Sequence, residues 1–536
     1  MKIITLLILH FLVLSVSAQQ PEQLKKIDQL FSAWNNATPG VAVAVQQGDR
    51  IIYNKAFGLA DLEHHVPNTT ETIFESGSVA KQFTAMSILL LAAEGKLKLT
   101  DDIRKYVPEI PTYNIPITIQ MLLNHTSGLK DWGSVGALTG WPRTTRVYTQ
   151  DLALHIMSQQ KSTNYTPGTE YSYSNANYSL LVTIVERVSG KSLADFTEEN
   201  FFKPLGMTHT QWRDNFREVV PDRAIAYHKN KGVYEQLMPF EDIHGHGGLL
   251  TTTGDLLKWN SLLETHTIGG DQVYQWRVKK GVLTQGREIS YAGGLFIDKF
   301  YGFDEISHSG ATAGYRAWLA YYPQQKLSIV ALSNDAGFNP TGIGRQLAEI
   351  LLDKPDLQTA REIKSSRDVS LAEVDLKKFE GNWRSIRHLD VVTITRQGNT
   401  LYLDQKPVTV LHRDTLLSGR KFVSSTPANL LMIQNQDTLS YRKVAAPDLA
   451  PASLTALTGI YSSVEAEATY SFTLEKNQIV LRNGAFPAKV LIPVYKLGFR
   501  DDDNIYYEFK TDAKGRASGL EVSVSRATRV PFQKIR

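Results

Sequence analysis

Ser78 and Lys81 stand three positions apart in Ser78-Val79-Ala80-Lys81. If this segment is helical they share one face, a turn from each other. A serine hydroxyl is a weak nucleophile until a base sits beside it. A lysine in a poorly solvated pocket can lose its proton and become that base. A helix N-terminus adds backbone N–H groups and the positive end of the helix dipole, which favour negative charge on Ser78 Oγ and on an attacked carbonyl oxygen. The spacing alone does not select this pair, because Ser127…Lys130, Ser158…Lys161, Ser418…Lys421 and Ser440…Lys443 share it. Context does. After Lys81 a mostly apolar run extends to Ala93 and closes at Gly95, the pattern of a buried helix whose start opens into a cleft.

Two further stretches add groups that such a pair needs. Tyr173-Ser174-Asn175 is the only Tyr-x-Asn in the chain and precedes a helical run over 176–189. A phenol near an ammonium ionises more readily and can pass a proton to a leaving group. An asparagine carboxamide offers a donor and an acceptor to an amide. His308-Ser309-Gly310-Ala311-Thr312-Ala313-Gly314 enters a strand at Tyr315, where glycines let another backbone or a ligand approach closely.

In this order, Ser-x-x-Lys, Tyr-x-Asn and His-x-Gly resemble the motifs of the penicillin-recognising serine hydrolases: class C-like β-lactamases, D,D-peptidases, D-aminopeptidases and related esterases. Leu122–Leu129, Pro204-Leu205-Gly206-Met207 and Gly247–Thr252 also look like landmarks of that family. The resemblance covers roughly residues 20–350. It implies an α/β, β-lactamase/transpeptidase-like catalytic domain, an antiparallel sheet flanked by helices. It also implies Ser78 as nucleophile, Lys81 as its base partner and Tyr173 as proton relay. Asn175 would hold the substrate amide, His308 would take the cationic place of the third motif with Ser309 and Gly310 beside it, and the N–H groups of Ser78 and Ala311 would form the oxyanion hole. The family's third motif usually begins with Lys; a histidine is only partly charged near neutral pH. That departure points to an aminopeptidase, amidase or esterase acting on a small peptide, amide or ester, peptidoglycan-derived peptides included. The alternatives are a β-lactamase or D,D-carboxypeptidase, or a non-catalytic protein that captures a β-lactam or peptidoglycan. The intact Ser/Lys/Tyr set argues against the last.

The elements that must position these residues read as follows. Residues 21–36 form an amphipathic helix, followed by strands over Gly40–Gln46 and Ile51–Phe57 joined at Gly48-Asp49. Helices fall near 117–124, 149–159, 176–189 and 253–264, strands at Tyr315–Tyr322 and Lys326–Ser333, and a helix at 341–353. A sheet that opens and closes this stretch with helices inside it makes one domain over 19–355. Beyond it, Leu376, Phe379, Gly381, Trp383 and Ser385 return as Leu454, Leu457, Gly459, Tyr461 and Ser463 at an offset of 78 residues. Two matched antiparallel β-barrel modules are expected over 356–446 and 447–536, joined near the Ala/Pro-rich Ala445–Pro451. The arrangement is similar to the D-aminopeptidase branch, whose extra modules are eight-stranded barrels.

Composition bounds the rest. A net charge of +4 gives no electrostatic case for nucleic acid. Residues 1–18 read as a secretory signal peptide with cleavage after Ala18 and export to a periplasmic or extracellular space, leaving no transmembrane anchor. Cys is absent, so the fold rests on its cores rather than on disulfides. His244-Gly245-His246 lacks the acidic ligand of a metallo-hydrolase, Gly190-Lys191-Ser192 lacks the earlier glycine of a phosphate loop, and no Gly-x-Ser-x-Gly surrounds Ser78. No metal and no cofactor is expected.

Overall fold

The computed structural model describes residues 22–141, 146–352 and 375–536, apart from 413, 419, 427, 435, 436, 485 and 486. The expected leader and the domain boundary at 355/356 lie outside the described residues. Packing divides the chain into two compact units: Met1–Lys98 with Leu181–Lys280 and Ser290–Asp356, and Leu99–Leu180 with Gly281–Ile289 and Leu357–Arg536. Compactness therefore does not follow chain order.

In the first unit a six-stranded antiparallel sheet is built from β1 (Val41–Gln47), β2 (Arg50–Phe57), β3 (Phe296–Phe300), β4 (Phe303–Thr312), β5 (Tyr315–Tyr322) and β6 (Leu327–Ser333). Its order is β3-β4-β5-β6-β1-β2. An early strand and the last strand of this sheet in chain order thus pair inside it, where Val43 of β1 lies opposite Ala331 of β6. The helices that matter here are α1 (22–30), α2 (Lys81–Ala93), α3 (Asn175–Ser189), α4 (Thr253–Asn260) and α5 (Pro340–Leu351). Helix α1 is shorter than the apolar spacing suggested, but Phe31 and Trp34 beyond its end still pack with Leu24, Ile27 and Leu30 on the sheet.

Alternation along β1 shows why both faces carry helices. Val41, Val43 and Val45 join Ile27, Phe31, Leu347 and Ala348 in one apolar cluster. Ala42 and Ala44 point the other way and are equally buried, so the small residues admit α4 close to that face. There Asn260 donates Nδ2 to the Ala320 carbonyl at 2.9 Å. Helix α2 is buried from Lys81 to Leu91, on every side, as its uniform apolarity requires. Phe83 stacks on Trp259 of α4 with ring centroids 3.8 Å apart, and the Gln82 amide oxygen accepts from Trp259 Nε1 and Arg277 Nη2 at 2.9 and 3.0 Å.

In the second unit, residues 99–180 contribute short helices such as Ile119–Leu123 and Gln150–Ser158, capped by the Thr118 and Thr149 hydroxyls. Both β modules belong to this unit and repeat each other strand for strand. Each is a nine-stranded, nearly closed antiparallel sheet. The first runs from Gly381–Ser385 to Asp437–Val444 and the second from Gly459–Ser463 to Ala527–Lys534. The equivalent residues Trp383 and Tyr461 are fully buried, and each donates its one polar hydrogen to an equivalent carbonyl, of Phe379 and of Leu457, at 2.7 Å. The count of nine differs from the eight implied by resemblance for a geometric reason. One extended segment, Lys406–Pro407 and Thr409–His412 with Val408 between, pairs at its start with one end of the sheet and at its end with the other. Lys489–Val490 and Ile492–Tyr495 do the same around Leu491. A strand bent across the seam hides both edges.

The modules are tied to residues 99–180 by buried polar contacts. Lys130 Nζ pairs with Glu465 at 3.1 Å, with side chains 0% and 6% exposed, and the Leu138 carbonyl accepts from Tyr470 and Asn483 at 3.2 and 3.1 Å. Arg387 of the first module pairs with Glu170 and lies over the Tyr165 ring.

Candidate active site

Ser78 lies in a 3₁₀ turn, Gly77–Ala80, that leads into α2. A turn of three residues eclipses positions i and i+3, so Lys81 rises directly beside Ser78. Its Nζ donates to Ser78 Oγ at 3.3 Å and to the His246 carbonyl at 2.5 Å. Ser78 is partly exposed, whereas Lys81 is fully buried. The lysine is held by main chain, since the neighbouring Gly245 carbonyl also accepts from Thr84 of α2 at 2.8 Å. The His244–His246 stretch thus serves the site through the carbonyl oxygens of Gly245 and His246.

The strand β4 meets the Ser78 turn backbone to backbone. A Cβ on Gly310 would stand 1.9 Å from the Ser76 oxygen and 3.1 Å from Ser78 N, and one on Gly77 would stand 2.5 Å from Ala311 N. Gly77 also has φ +52°, a conformation that disfavours any side chain. This contact draws together the backbones that carry the Ser78 and Ala311 N–H groups. Beneath the turn Glu75 is fully buried. It accepts from Arg213 Nε and Nη2 at 2.9 and 3.3 Å and from Gly248 N at 3.1 Å. Glu75, Arg213 and the His246 carbonyl escaped the sequence reading, because nothing local marks a buried ion pair or a carbonyl acceptor.

His308, Ser309 and Gly310 lie inside β4 rather than in a loop ahead of a strand; His308 faces Leu319 and Gly310 faces Ala317 of β5. His308 is buried. Its Nδ1 lies 2.6 Å from the Ser309 carbonyl, which assigns the proton there, and its Nε2 accepts from the Tyr291 hydroxyl at 3.1 Å. Burial, reinforced by the Lys81 charge, pushes its pKa down to about 3. Burial thus favours the neutral imidazole at the position to which the resemblance gives a partial charge.

Tyr173 and Asn175 belong to the second unit, where the Leu122–Leu129 landmark packs on Tyr173 and Asp131 holds Asn175. His125 has φ +57°; its carbonyl accepts from Ser172 N at 2.9 Å and Tyr165 Oη at 3.1 Å. Its ring lies 4.3 Å from the Tyr173 ring, and its Nδ1 is 3.0 Å from Asn177 Nδ2. Ser127 donates to Asn177 Oδ1 at 2.6 Å, so Ser127, the competing Ser-x-x-Lys serine, is buried scaffold. Asn175 N, at the start of α3, donates to Asp131 Oδ2 at 2.7 Å. Above the Tyr173 ring lies the guanidinium of Arg526, 5.0 Å from the centroid.

Among the described residues, Asp61, Glu63 and His64 bring metal-ligand atoms within 4.8 Å of one another. They are half to fully exposed, and His64 pairs with Asp61 at 2.7 Å, the geometry of a surface ion pair. No helix among the described residues is long and apolar enough to cross a membrane.

The Beta-lactamase family pattern matches residues 25–353, more than half of the chain. The chain belongs to that family, and its fold is β-lactamase/transpeptidase-like. It is 30% identical to penicillin-binding protein 4* of Bacillus subtilis over 311 residues, 55% of this chain and 68% of that one. It is 27% identical to the D-aminopeptidase of Brucella anthropi over 334 residues, 60% of this chain and 61% of that one. The chain thus spans about two thirds or less of each. The octameric penicillin-binding protein homologue from Pyrococcus abyssi superimposes with a TM-score of 0.56 at 25% identity, over 78% of this chain and 99% of its own.

Proposed function

We propose that this protein is an exported serine acyl-hydrolase that cleaves an amide bond of a small peptide or amino-acid amide through an acyl-enzyme on Ser78. The observation that carries this reading is the Lys81 Nζ–Ser78 Oγ contact of 3.3 Å, with Lys81 buried and fixed by the His246 carbonyl. Lys81 takes the hydroxyl proton as Oγ bonds to the substrate carbonyl carbon. The Ser78 and Ala311 N–H groups stabilise the oxyanion. Asn175 holds the substrate amide, and Tyr173 delivers a proton to the leaving nitrogen as the C–N bond breaks. Water then cleaves the ester and restores the serine. Support for the amide comes from the likeness to a D-aminopeptidase. At His308 burial disfavours the cation that the third motif usually supplies, so a substrate carboxylate is not held from that strand. Ser309 and Gly310 line the substrate edge in this reading.

The test is intact mass after incubation with D-amino-acid amides, penicillins and short-chain esters. One added acyl group on the wild type, and none on Ser78→Ala, is expected. A fully acylated Ser78→Ala protein would place the nucleophile elsewhere. Export is tested by the N-terminal mass of the mature protein, expected to begin at Gln19.

A further inference from the structure

Arg526 occupies the two-residue turn Ser525-Arg526 between the last two strands of the second module, Ala517–Val524 and Ala527–Lys534. Its backbone is fastened on three sides. The Arg526 carbonyl accepts from Asp131 N at 3.1 Å and Asn164 Nδ2 at 3.0 Å, and Arg526 N donates to Ser134 Oγ at 3.2 Å. Two residues on, Thr528 donates both its N–H and its hydroxyl to Asn164 Oδ1 at 2.8 Å. Asp131 links this turn to the Tyr-x-Asn loop, because its Oδ2 accepts from Asn175 N. A fixed backbone holds the side chain over Tyr173. Arg526 is half-buried, and among the described residues no carboxylate lies within ion-pair distance of its guanidinium. A guanidinium drawn to a ring face by its charge keeps N–H groups that can bind an anion bidentately.

We infer that Arg526 is a specificity-determining residue that binds a carboxylate on the leaving-group side of the substrate. The inference rests on the proposed function, in which Tyr173 serves the leaving group; a cation held over the Tyr173 ring is then placed for an anion of that same group. The favoured substrates are short peptides whose leaving residue ends in a free carboxylate.

The experiment compares one D-residue dipeptide with its C-terminally amidated twin, using wild type, Arg526→Gln and Arg526→Lys. Backbone atoms make the anchoring bonds, so both variants should keep the wild-type melting temperature. Wild type should favour the carboxylate form at least about tenfold in kcat/KM, the worth of one charge-assisted hydrogen bond. Arg526→Gln should lose about 10- to 100-fold on the carboxylate form, mainly in KM, and less than threefold on the amidated twin. Arg526→Lys should recover part of the loss. An equal loss on both substrates, or no loss, overturns the assignment and leaves Arg526 as support for the Tyr173 ring. Fluorophosphonate labelling of Ser78 in wild type and Arg526→Gln separates the two readings. Labelled protein with equal losses sinks only the Arg526 role, whereas an unlabelled wild type sinks the acyl-enzyme as well.

Discussion

Around Ser78, backbone packs on backbone: Gly77 and Gly310 leave no room for a Cβ, and Lys81 is held by a main-chain carbonyl. Around Tyr173 the supports are side chains: His125, Asp131 and Arg526 from far along the sequence, and Asn177 from the next helical turn. Close main-chain contact tolerates almost no substitution, whereas a hydrogen-bonded side-chain frame can be adjusted one group at a time. The first region suits invariant chemistry. The second suits selection of the substrate, and the second β module sets Arg526 over its tyrosine.

The sharpest challenge to this contrast asks whether the two regions act together. Lys81→Ala and Tyr173→Phe should each lower kcat by about 10³-fold or more. The double variant should be little worse, because groups that move one proton act as a unit. Losses that add fully in log kcat would mean that the regions do separate work.

Next in size is Gly310→Ala. The new Cβ would collide with the Ser76 oxygen and push β4 from the Ser78 turn. Losing one oxyanion donor costs about 10²- to 10³-fold in kcat, so a loss of that order is expected with KM little changed. Near-normal turnover would show that the close approach is not what sets the oxyanion geometry.

Glu465→Ala probes the other region through stability. It leaves Lys130, whose pKa burial already lowers, as an unpaired buried cation. Breaking such a pair costs about 3–5 kcal/mol. Thermal melting should fall accordingly, and Glu465→Gln should fall less. An unchanged melting temperature would mean that the module is attached by its apolar and backbone contacts alone.

The smallest effect concerns acid. Unfolded His308 takes up a proton near pH 6.5, while the folded imidazole resists it down to about pH 3. Through that window the unfolded state binds more protons, so stability present above pH 6.5 is lost as pH falls. His308→Gln should flatten the fall in melting temperature between those pH values. An identical slope would locate the acid sensitivity in other groups.

Much of this molecule was legible in the sequence where the signal is local. The apolar run after Lys81 gave α2, and alternation gave β1, β2, β5 and β6 within a residue or so. The 78-residue register gave two modules whose buried Trp383 and Tyr461 make the same bond. The strand β4 was missed because Ser307–Ala311 is polar and glycine-containing, and its pairing with β5 outweighs that weak propensity. The nine-strand count was missed because one segment bends across the barrel seam.

The sequence by itself determined the order and spacing of the reactive groups, since i, i+3 geometry and strand alternation are properties of the local chain. Tertiary structure decided their state. Burial beside Lys81 favoured the neutral imidazole at His308, and the His246 carbonyl fixed the lysine. A hairpin turn more than 300 residues downstream set a guanidinium on Tyr173. Charge and hydrogen bonding depend on which distant atoms exclude water, and no local pattern records them.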